Sequence, residues 1–253
     1  MSFAAERLAF GYPGRTVGGD VSIAVAPGEA LARLGPNGGG KTTLLKTMLG
    51  LLKPHAGAVS LDGRPMTSLS VAERARRIGY VPQAHAGTFA FAVRDVVLMG
   101  RTAHHGLFAS PSASDREIAS AALATLGVAH LADKPYTMIS GGERQLALIA
   151  RALAQQPRYV VLDEPTASLD FGNQGKVMAQ IEALTGRGLG VLFTTHDPNQ
   201  ALRFADRVAL LGEGRMLAAG APRDVLTAQA LSTLYGASVR TIRQDQQTAF
   251  LPD

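Results

Sequence analysis

The chain has 253 residues, of which 46% are hydrophobic, and it contains no cysteine. This length fits one large α/β domain or a domain with an inserted subdomain, and the missing cysteines exclude disulfides and thiolate metal sites. The net charge is +5, but the basic residues are scattered, which favours a solvated surface over a nucleic-acid face. No apolar run reaches the roughly 20 residues of a membrane span, and no signal-peptide pattern opens the chain. We therefore expect a cytosolic chain.

Short apolar runs separated by turns begin the sequence. Residues 8–12, 21–25 and 58–63 predict strands, and the alternation of the first runs with turns suggests antiparallel pairing. Tyr12 is an aromatic residue just ahead of a turn. It can stack on a nucleotide base or be a half-buried strand tyrosine, and its position alone leaves both interpretations open.

A glycine-rich segment lies between a predicted strand, Ala30–Leu34, and a predicted helix at residues 43–49. It matches the phosphate-binding pattern G-x-x-x-x-G-K-[ST] at every fixed position. Glycines let successive backbone N–H groups converge on a phosphate, and the following helix start attracts the same anion. We expect Lys41 to reach the outer phosphates and the hydroxyl of Thr42 to ligate Mg²⁺. The predicted nucleoside triphosphate site comprises Gly35, Pro36, Asn37, Gly38, Gly39, Gly40, Lys41, Thr42 and Thr43.

The middle of the chain reads as mainly helical. A predicted strand, Ile78–Val81, is followed by Pro82 and Gln83, and helical spacing then recurs at residues 93–99 and 115–126 with a polar loop at 110–114. This predicts a helical subdomain of residues 84–157 inserted into a nucleotide-binding core of residues 1–83 and 158–235. Residues 236–253 would form a C-terminal tail, and its last dozen polar residues are expected to be frayed.

A second helix start in this region has the chemistry of an anion site. Ser140 is placed as an N-cap with Glu143 in the first turn, and an apolar stripe follows at i, i+3, i+4 and i+7. A well-capped helix explains the serine but not the consecutive glycines Gly141 and Gly142. Because bare N–H groups at a helix start attract anions, the segment predicts a second phosphate-binding site. The stripe consists of Leu146, Ile149, Ala150 and Leu153.

Two carboxylates follow a predicted strand that is apolar throughout. The strand, Tyr159–Leu162, reads as buried on both faces, and Asp163 and Glu164 come directly after it. Buried carboxylates are costly without a partner, and Mg²⁺ with an attacking water would supply one. We expect Asp163 to hold the metal, directly or through water. We expect Glu164 to orient or deprotonate the water that attacks the γ-phosphate.

His196 follows another predicted strand, at residues 191–195. A lone histidine at a strand end is more often structural than catalytic. However, ligands of open α/β sheets bind at the carboxyl ends of strands, and polar groups follow four predicted strands here. This arrangement predicts one γ-phosphate site with Gln83 and His196 as its sensors. Farther on, residues 207–219 predict a hairpin and residues 224–235 a helix.

These motifs, in this order, resemble the nucleotide-binding subunit of ATP-binding-cassette (ABC) transporters over essentially the whole chain. The matching segments are Walker A (35–42), Gln83 of the Q-loop, the signature (140–145), Walker B (160–164), the D-loop (168–170) and the switch residue His196. The resemblance implies an α/β fold: a P-loop NTPase core with a mostly parallel sheet, an antiparallel β-subdomain and an inserted helical subdomain.

The resemblance also implies cofactors and roles. ATP and Mg²⁺ would be the cofactors, with Tyr12 stacked on adenine. The metal would be held by Thr42, Gln83 and Asp163, and the catalytic residues would be Lys41, Gln83, Glu164 and His196.

Partners follow from the same resemblance. A second copy would pair head to tail, so that the signature of one subunit closes the ATP site of the other. Permease subunits would dock beside Gln83 at the cytoplasmic face of the inner membrane, a substrate-binding protein would act indirectly, and no nucleic acid is expected. Ser140, Gly141, Gly142, Glu143 and Asp170 would be the residues that contact ATP across the dimer.

Two segments suggest the cargo class: residues 77–83, and the stretch that runs from 88–91 to 97–101. Both resemble the corresponding segments of importers for iron chelates, haem and cobalamin. A molybdate-type oxyanion importer is the alternative, as is a soluble ABC ATPase that acts on DNA or ribosomes. A generic P-loop kinase is disfavoured by the signature and His196.

A few positions differ from the usual sequence of the ABC family. The differences at residues 17–19, Gly39 and Ile139 are mild, and Arg33 is unusual in a buried strand. The pair His104-His105 invites a metal-site interpretation, but it is predicted to be a solvated loop pair because no partner ligands lie at suitable spacing.

Overall fold

The computed structural model of the protein describes residues 1–83, 90–105, 110–245 and 247–253. Its strands are β1 (Phe3–Tyr12), β2 (Arg15–Val25), β3 (Ala30–Leu34), β4 (Ala56–Leu61), β5 (Arg64–Pro65), β6 (Ile78–Val81), β7 (Tyr159–Leu162), β8 (Gly190–Thr195), β9 (Arg207–Gly212), β10 (Arg215–Gly220), β11 (Val239–Gln244) and β12 (Gln247–Pro252). Its α-helices are α1 (Lys41–Met48), α2 (Val71–Arg77), α3 (Val93–Leu98), α4 (Ala113–Thr125), α5 (Gly141–Ala154), α6 (Phe171–Thr185), α7 (Pro198–Phe204), α8 (Pro222–Val225) and α9 (Ala228–Tyr235).

Six strands form a mostly parallel central sheet in the order β10-β9-β3-β8-β7-β6. Every residue of β3, β7 and β8 is buried, as expected for apolar strands covered on both faces. The predicted hairpin is confirmed, with β10 antiparallel to β9 at the sheet edge. Because β3, β6, β7 and β8 are parallel, their carboxyl ends lie along one edge of the sheet.

A four-stranded antiparallel sheet, in the order β2-β1-β4-β5, confirms the predicted β-subdomain. Phe3, Leu8 and Phe10 of β1 share one apolar core with Leu44 and Leu45 of α1, and buried residues of the central sheet complete it. The strand before the glycine loop and the helix after it are thereby packed into one core. The α/β fold class is confirmed.

Helices α3, α4 and α5 pack against one another, as the helical spacing predicts. Ser112 caps α4 and its hydroxyl accepts from the backbone N–H of Asp115, so the predicted loop at 110–114 ends two residues early. Residues 84–89 and 106–109, including part of the segment that suggests the cargo class, lie outside the described residues. The domain boundaries at 83, 157 and 235 stay a prediction.

The C-terminal region differs from the prediction in two ways. Residues 224–235 form two helices rather than one, because Thr227 caps a new helix by accepting from the N–H of Ala230. The last residues are not frayed but pair as β11 and β12. Phe250 is buried in the core, and its backbone N–H and C=O both bond to the side chain of Asn199 in α7.

The two adjacent histidines are not a solvated pair, so that prediction is wrong. The ring Nε2 of His104 lies 2.9 Å from the carbonyl oxygen of Gln155, and Nε2 of His105 lies 3.1 Å from Oδ2 of Asp115. Arg101 donates to the same carboxylate, so the pair belongs to a polar cluster between the helices. Among the described residues, no group of three or more His, Cys, Asp or Glu side chains could hold a metal ion. No described helix is long and apolar enough to cross a membrane.

Candidate active site

A cavity of about 520 Å³ opens at the carboxyl edge of the central sheet. It brings together the glycine loop, Gln83 two residues after β6 and the second carboxylate after β7, three of the four strand-end groups that the sequence places at one site. The cavity is lined by Tyr12, Arg15, Val17, Asn37, Gly38, Gly40, Lys41, Thr42, Thr43, Gln83 and Glu164.

The loop between β3 and α1 needs glycine for its conformation. Gly40 has φ +77° and directly precedes the first helical residue, Lys41. A Cβ atom at Gly40 would lie 2.7 Å from Cγ1 of Val17, so a side chain is excluded by both strain and space. The loop therefore presents backbone N–H groups and the start of α1 to the cavity, an arrangement suited to a phosphate.

Lys41 is almost completely buried, at 5% exposure, and its ammonium is saturated by acceptors. Nζ donates to the carbonyl oxygens of Gly35 and Pro36 at 3.0 and 2.9 Å, and to Oδ1 of Asn37 at 3.3 Å. It also forms an ion pair with Oε1 of Glu164 at 2.9 Å. The lysine is thus held at the mouth of the glycine loop, where a phosphate oxygen can replace its present partners.

Asp163 lies beside the hydroxyl of Thr42, although they are 121 positions apart in sequence. The hydroxyl of Thr42 donates to Oδ2 at 2.6 Å and that of Thr194 donates to Oδ1 at 2.8 Å. Hydroxyl and carboxylate oxygens are the hard ligands that Mg²⁺ prefers, and Gln83 faces the same cavity. The donor set therefore fits Mg²⁺.

Glu164 has a strained backbone, with φ +48°. Its N–H donates to the hydroxyl of Thr194 at 2.8 Å, which fixes this left-handed conformation. Strain of this kind is concentrated at functional sites, where the surrounding structure holds a side chain in place. Nδ1 of His196 lies 3.7 Å from Oε2 of Glu164, and the backbone carbonyl of His196 accepts from the hydroxyl of Tyr235.

The residues of the signature do not line the cavity of their own chain. The hydroxyl of Ser140 accepts from the N–H of Glu143, and the Glu143 carboxylate accepts from the N–H of Ser140. These bonds lower the pKa of Glu143. Gly141 lies against Leu169, and Asp170 caps α6 by accepting from Asn173, which lowers the pKa of Asp170. The second predicted phosphate site is therefore not part of the cavity at the glycine loop.

Three residues of the site are not predicted from the sequence. Arg15 and Val17 line the cavity beside Tyr12, which is 44% exposed and free to stack on a planar ligand. Their strand shows no motif, so the sequence carries no signal for them. Thr194 holds Asp163 and the backbone of Glu164. A polar residue at the end of a fully buried strand is the signal that points to it.

A family model for ABC transporters matches residues 19–167, which is more than half of the chain. The chain belongs to the ABC transporter family. It therefore binds nucleotide, and its enzymatic activity is the hydrolysis of ATP that powers transport. Family membership also implies permease partners and pairing of ATPase subunits in general.

Relatives of this ATPase cover nearly its full length. It is 40% identical to an uncharacterised ABC transporter ATP-binding protein of Haemophilus influenzae over 96% of this chain and 93% of the relative. It is 44% identical to the hemin import ATP-binding protein HmuV of Gloeobacter violaceus, over 91% and 86%. A solved metal-chelate type ABC transporter in an inward-facing conformation superposes with a TM-score of 0.88 and 34% identity, covering 100% of this chain and 97% of that one.

Proposed function

We propose that this chain is the ATP-hydrolysing subunit of an importer for a metal chelate: an iron–siderophore, haem or cobalamin. The observation that carries the proposal is the cluster in which Lys41, Thr42, Asp163 and Glu164 meet at the glycine loop. The printed names of relatives, hemin import and metal-chelate type transport, support the cargo class. An importer of molybdate or another oxyanion is the alternative within the family.

The residues at the cavity would have different roles in ATP hydrolysis. Lys41 would exchange its bonds to the glycine loop for bonds to the β- and γ-phosphates. Thr42, Asp163 and Gln83 would hold Mg²⁺, which supplies neutralisation of the phosphate charge when bound. The Glu164 carboxylate, released from Lys41 by the incoming phosphates, would accept a proton from the attacking water.

Release of the ion pair between Lys41 and Glu164 would couple ATP binding to hydrolysis. In the structure Oε1 of Glu164 is engaged by Lys41, so the carboxylate is not free to act as a base. His196, at 3.7 Å from the other carboxylate oxygen, would position Glu164 and sense the γ-phosphate. Tyr12 would stack on adenine, because it stands exposed at the cavity rim.

The second phosphate site calls for a second copy of the chain. Ser140 and Glu143 cap an exposed helix start that does not line the cavity. In a head-to-tail dimer, Ser140, Gly141 and Gly142 of one copy would close over the γ-phosphate held by the other, with Asp170 at the same interface. ATP would then join the two copies, and hydrolysis would release them.

The membrane partner is a permease, and a substrate-binding protein would deliver cargo to it. The chain would thus sit at the cytoplasmic face of the inner membrane through the permease. Purification of the chain from gently solubilised native membranes tests the proposal. Recovery of a polytopic permease together with a binding protein that carries a metal chelate supports it. A binding protein that carries molybdate would favour the alternative, and recovery with nucleic acid would reject transport.

A further inference from the structure

A buried arginine lies directly behind the glycine loop. Arg33 is in the central strand β3, two residues before Gly35, and its side chain is fully buried. Its Nη2 donates to the carbonyl oxygen of Gly39 at 2.8 Å. Within the described part of the chain, neither Nε nor Nη1 of this guanidinium has a hydrogen-bond partner. Burial of unpaired donors on a charged group is unfavourable, so an apolar side chain would suit this strand better.

The nearby carboxylates do not neutralise this charge by direct pairing. Asp163 is bound by the hydroxyls of Thr42 and Thr194, and Glu164 is bound by Lys41. Burial lowers the pKa of Arg33 to about 9, while both carboxylates and the hydroxyl of Tyr235 raise it. The guanidinium is therefore still a cation at neutral pH. Its positive charge is incompletely compensated in the protein itself.

We propose that Arg33 is a positioning residue for ATP, which fixes the curl of the glycine loop through Gly39 and attracts the triphosphate from behind the loop. This inference rests on the proposed role of that loop as the ATP site. Lys41 delivers its charge by contact, whereas Arg33 acts through the loop and touches no phosphate. The negative charge of ATP in front of the loop compensates the buried cation, so ATP binding is strengthened at the expense of the stability of the nucleotide-free protein.

Replacement of Arg33 by methionine in the full-length chain tests the inference. We expect the Kd for ATP with Mg²⁺, measured by calorimetry, to rise about tenfold, because a buried charge near the phosphates is lost. KM should rise in parallel, and kcat at saturating ATP should stay within about twofold. The Tm of the nucleotide-free protein should not fall, whereas the rise in Tm on adding ATP should shrink.

Three further variants separate charge from packing. Arg33→Lys keeps the charge and should restore most of the ATP affinity, and Arg33→Leu repeats the test if the methionine variant does not fold. Arg207→Met removes one positive charge from the opposite end of the neighbouring strand β9, where Arg207 pairs with Glu29. This control should leave the Kd for ATP unchanged.

The results distinguish the inference from the function on which it rests. A lower Tm of the nucleotide-free Arg33→Met protein with an unchanged Kd would mean a packing role and overturn the inference. So would equal weakening by Arg207→Met, since the effect would then come from net charge. If the unmodified chain does not bind ATP, the proposed function fails as well. If it binds ATP and Lys41→Ala does not, while Arg33→Met binds normally, only the inference is overturned.

Discussion

At the scale of single residues, the ion pair between Lys41 and Glu164 is the central feature of the site. The lysine is almost completely buried and the carboxylate nearly so, and each is held by further bonds or strain. The pair therefore holds the ammonium that we propose to bind phosphate within reach of the carboxylate that we propose as the catalytic base. Their roles can be tested separately, because Lys41 should govern ATP binding and Glu164 should govern the chemical step.

Glu164→Gln should lower kcat for ATP hydrolysis by about 100-fold or more while ATP still binds, because the amide cannot accept the proton of the attacking water. Steady-state hydrolysis and calorimetric ATP binding measure the two effects. Glu182→Gln is the matched control, since Glu182 is exposed on α6, and its turnover should equal that of the unmodified chain. Normal turnover of Glu164→Gln would refute the role of Glu164 as base.

Lys41→Ala should weaken ATP binding by about 100-fold, because the contact between the ammonium and the outer phosphates is lost. The same calorimetric titration with Mg²⁺ measures this change. Lys176→Ala on α6 removes an equal charge from a helix outside the cavity and should bind ATP normally. An unchanged affinity of Lys41→Ala would mean that the glycine loop is not the ATP site.

At the scale of elements, two helices with the same cap chemistry have different surroundings. Ser112 on α4 and Ser140 on α5 each form a capping box with an acidic residue three positions later. The box of α4 is partly buried, with Asp115 also bonded to Arg101, whereas the box of α5 is exposed and begins the signature. The same substitution at both serines can therefore separate the contribution of a helix cap to stability from a contribution to ATP hydrolysis.

Ser112→Ala and Ser140→Ala should each destabilise the nucleotide-free protein by about 1 kcal/mol, because each removes an N-cap acceptor. Denaturant unfolding measures this free energy. Ser140→Ala should in addition lower ATP hydrolysis, whereas Ser112→Ala should not. Equal rates of ATP hydrolysis by the two variants would mean that Ser140 acts only as a helix cap, and would contradict its proposed contact with ATP.

The C-terminal hairpin is the element that the sequence predicts least well. Phe250→Ala should lower the free energy of unfolding by about 3 kcal/mol, because a buried aromatic side chain is lost from the core. Leu251→Ala, one residue later and far more exposed, should cost about 0.5 kcal/mol or less. Equal, small effects in urea unfolding would show that the last strand does not contribute to the fold in solution.

At the scale of the whole molecule, the residues of the signature lie outside the cavity that the glycine loop lines. The head-to-tail dimer proposed above would combine the loop of one copy with the signature of another. Mixing Lys41→Ala with Ser140→Ala chains should raise hydrolysis above that of either variant alone and add up to about a quarter of the unmodified level, because each mixed dimer contains one intact site. ATPase assays of the separate and mixed proteins decide this, and absence of any recovery would contradict head-to-tail pairing.

Local patterns in the sequence determined much of this protein. The strands Ala30–Leu34, Ile78–Val81 and Tyr159–Leu162 occur with the predicted bounds, because short, mostly apolar runs bounded by glycine, proline or charge have few alternatives. The order of the motifs was enough to identify the family. Local signals failed where stability is non-local: the last strand is ordered by Asn199, about fifty residues away.

Only the tertiary structure decided which side chains meet. The sequence predicts that these residues serve one site, but only the parallel sheet shows that Thr42 contacts Asp163 and Lys41 contacts Glu164 directly, over more than a hundred residues in each case. It likewise showed that the charge of Arg33 lies buried behind the glycine loop, bonded to Gly39. Residue type and spacing fix which chemistry a chain can carry, but burial and the direction of a charge depend on packing between distant segments.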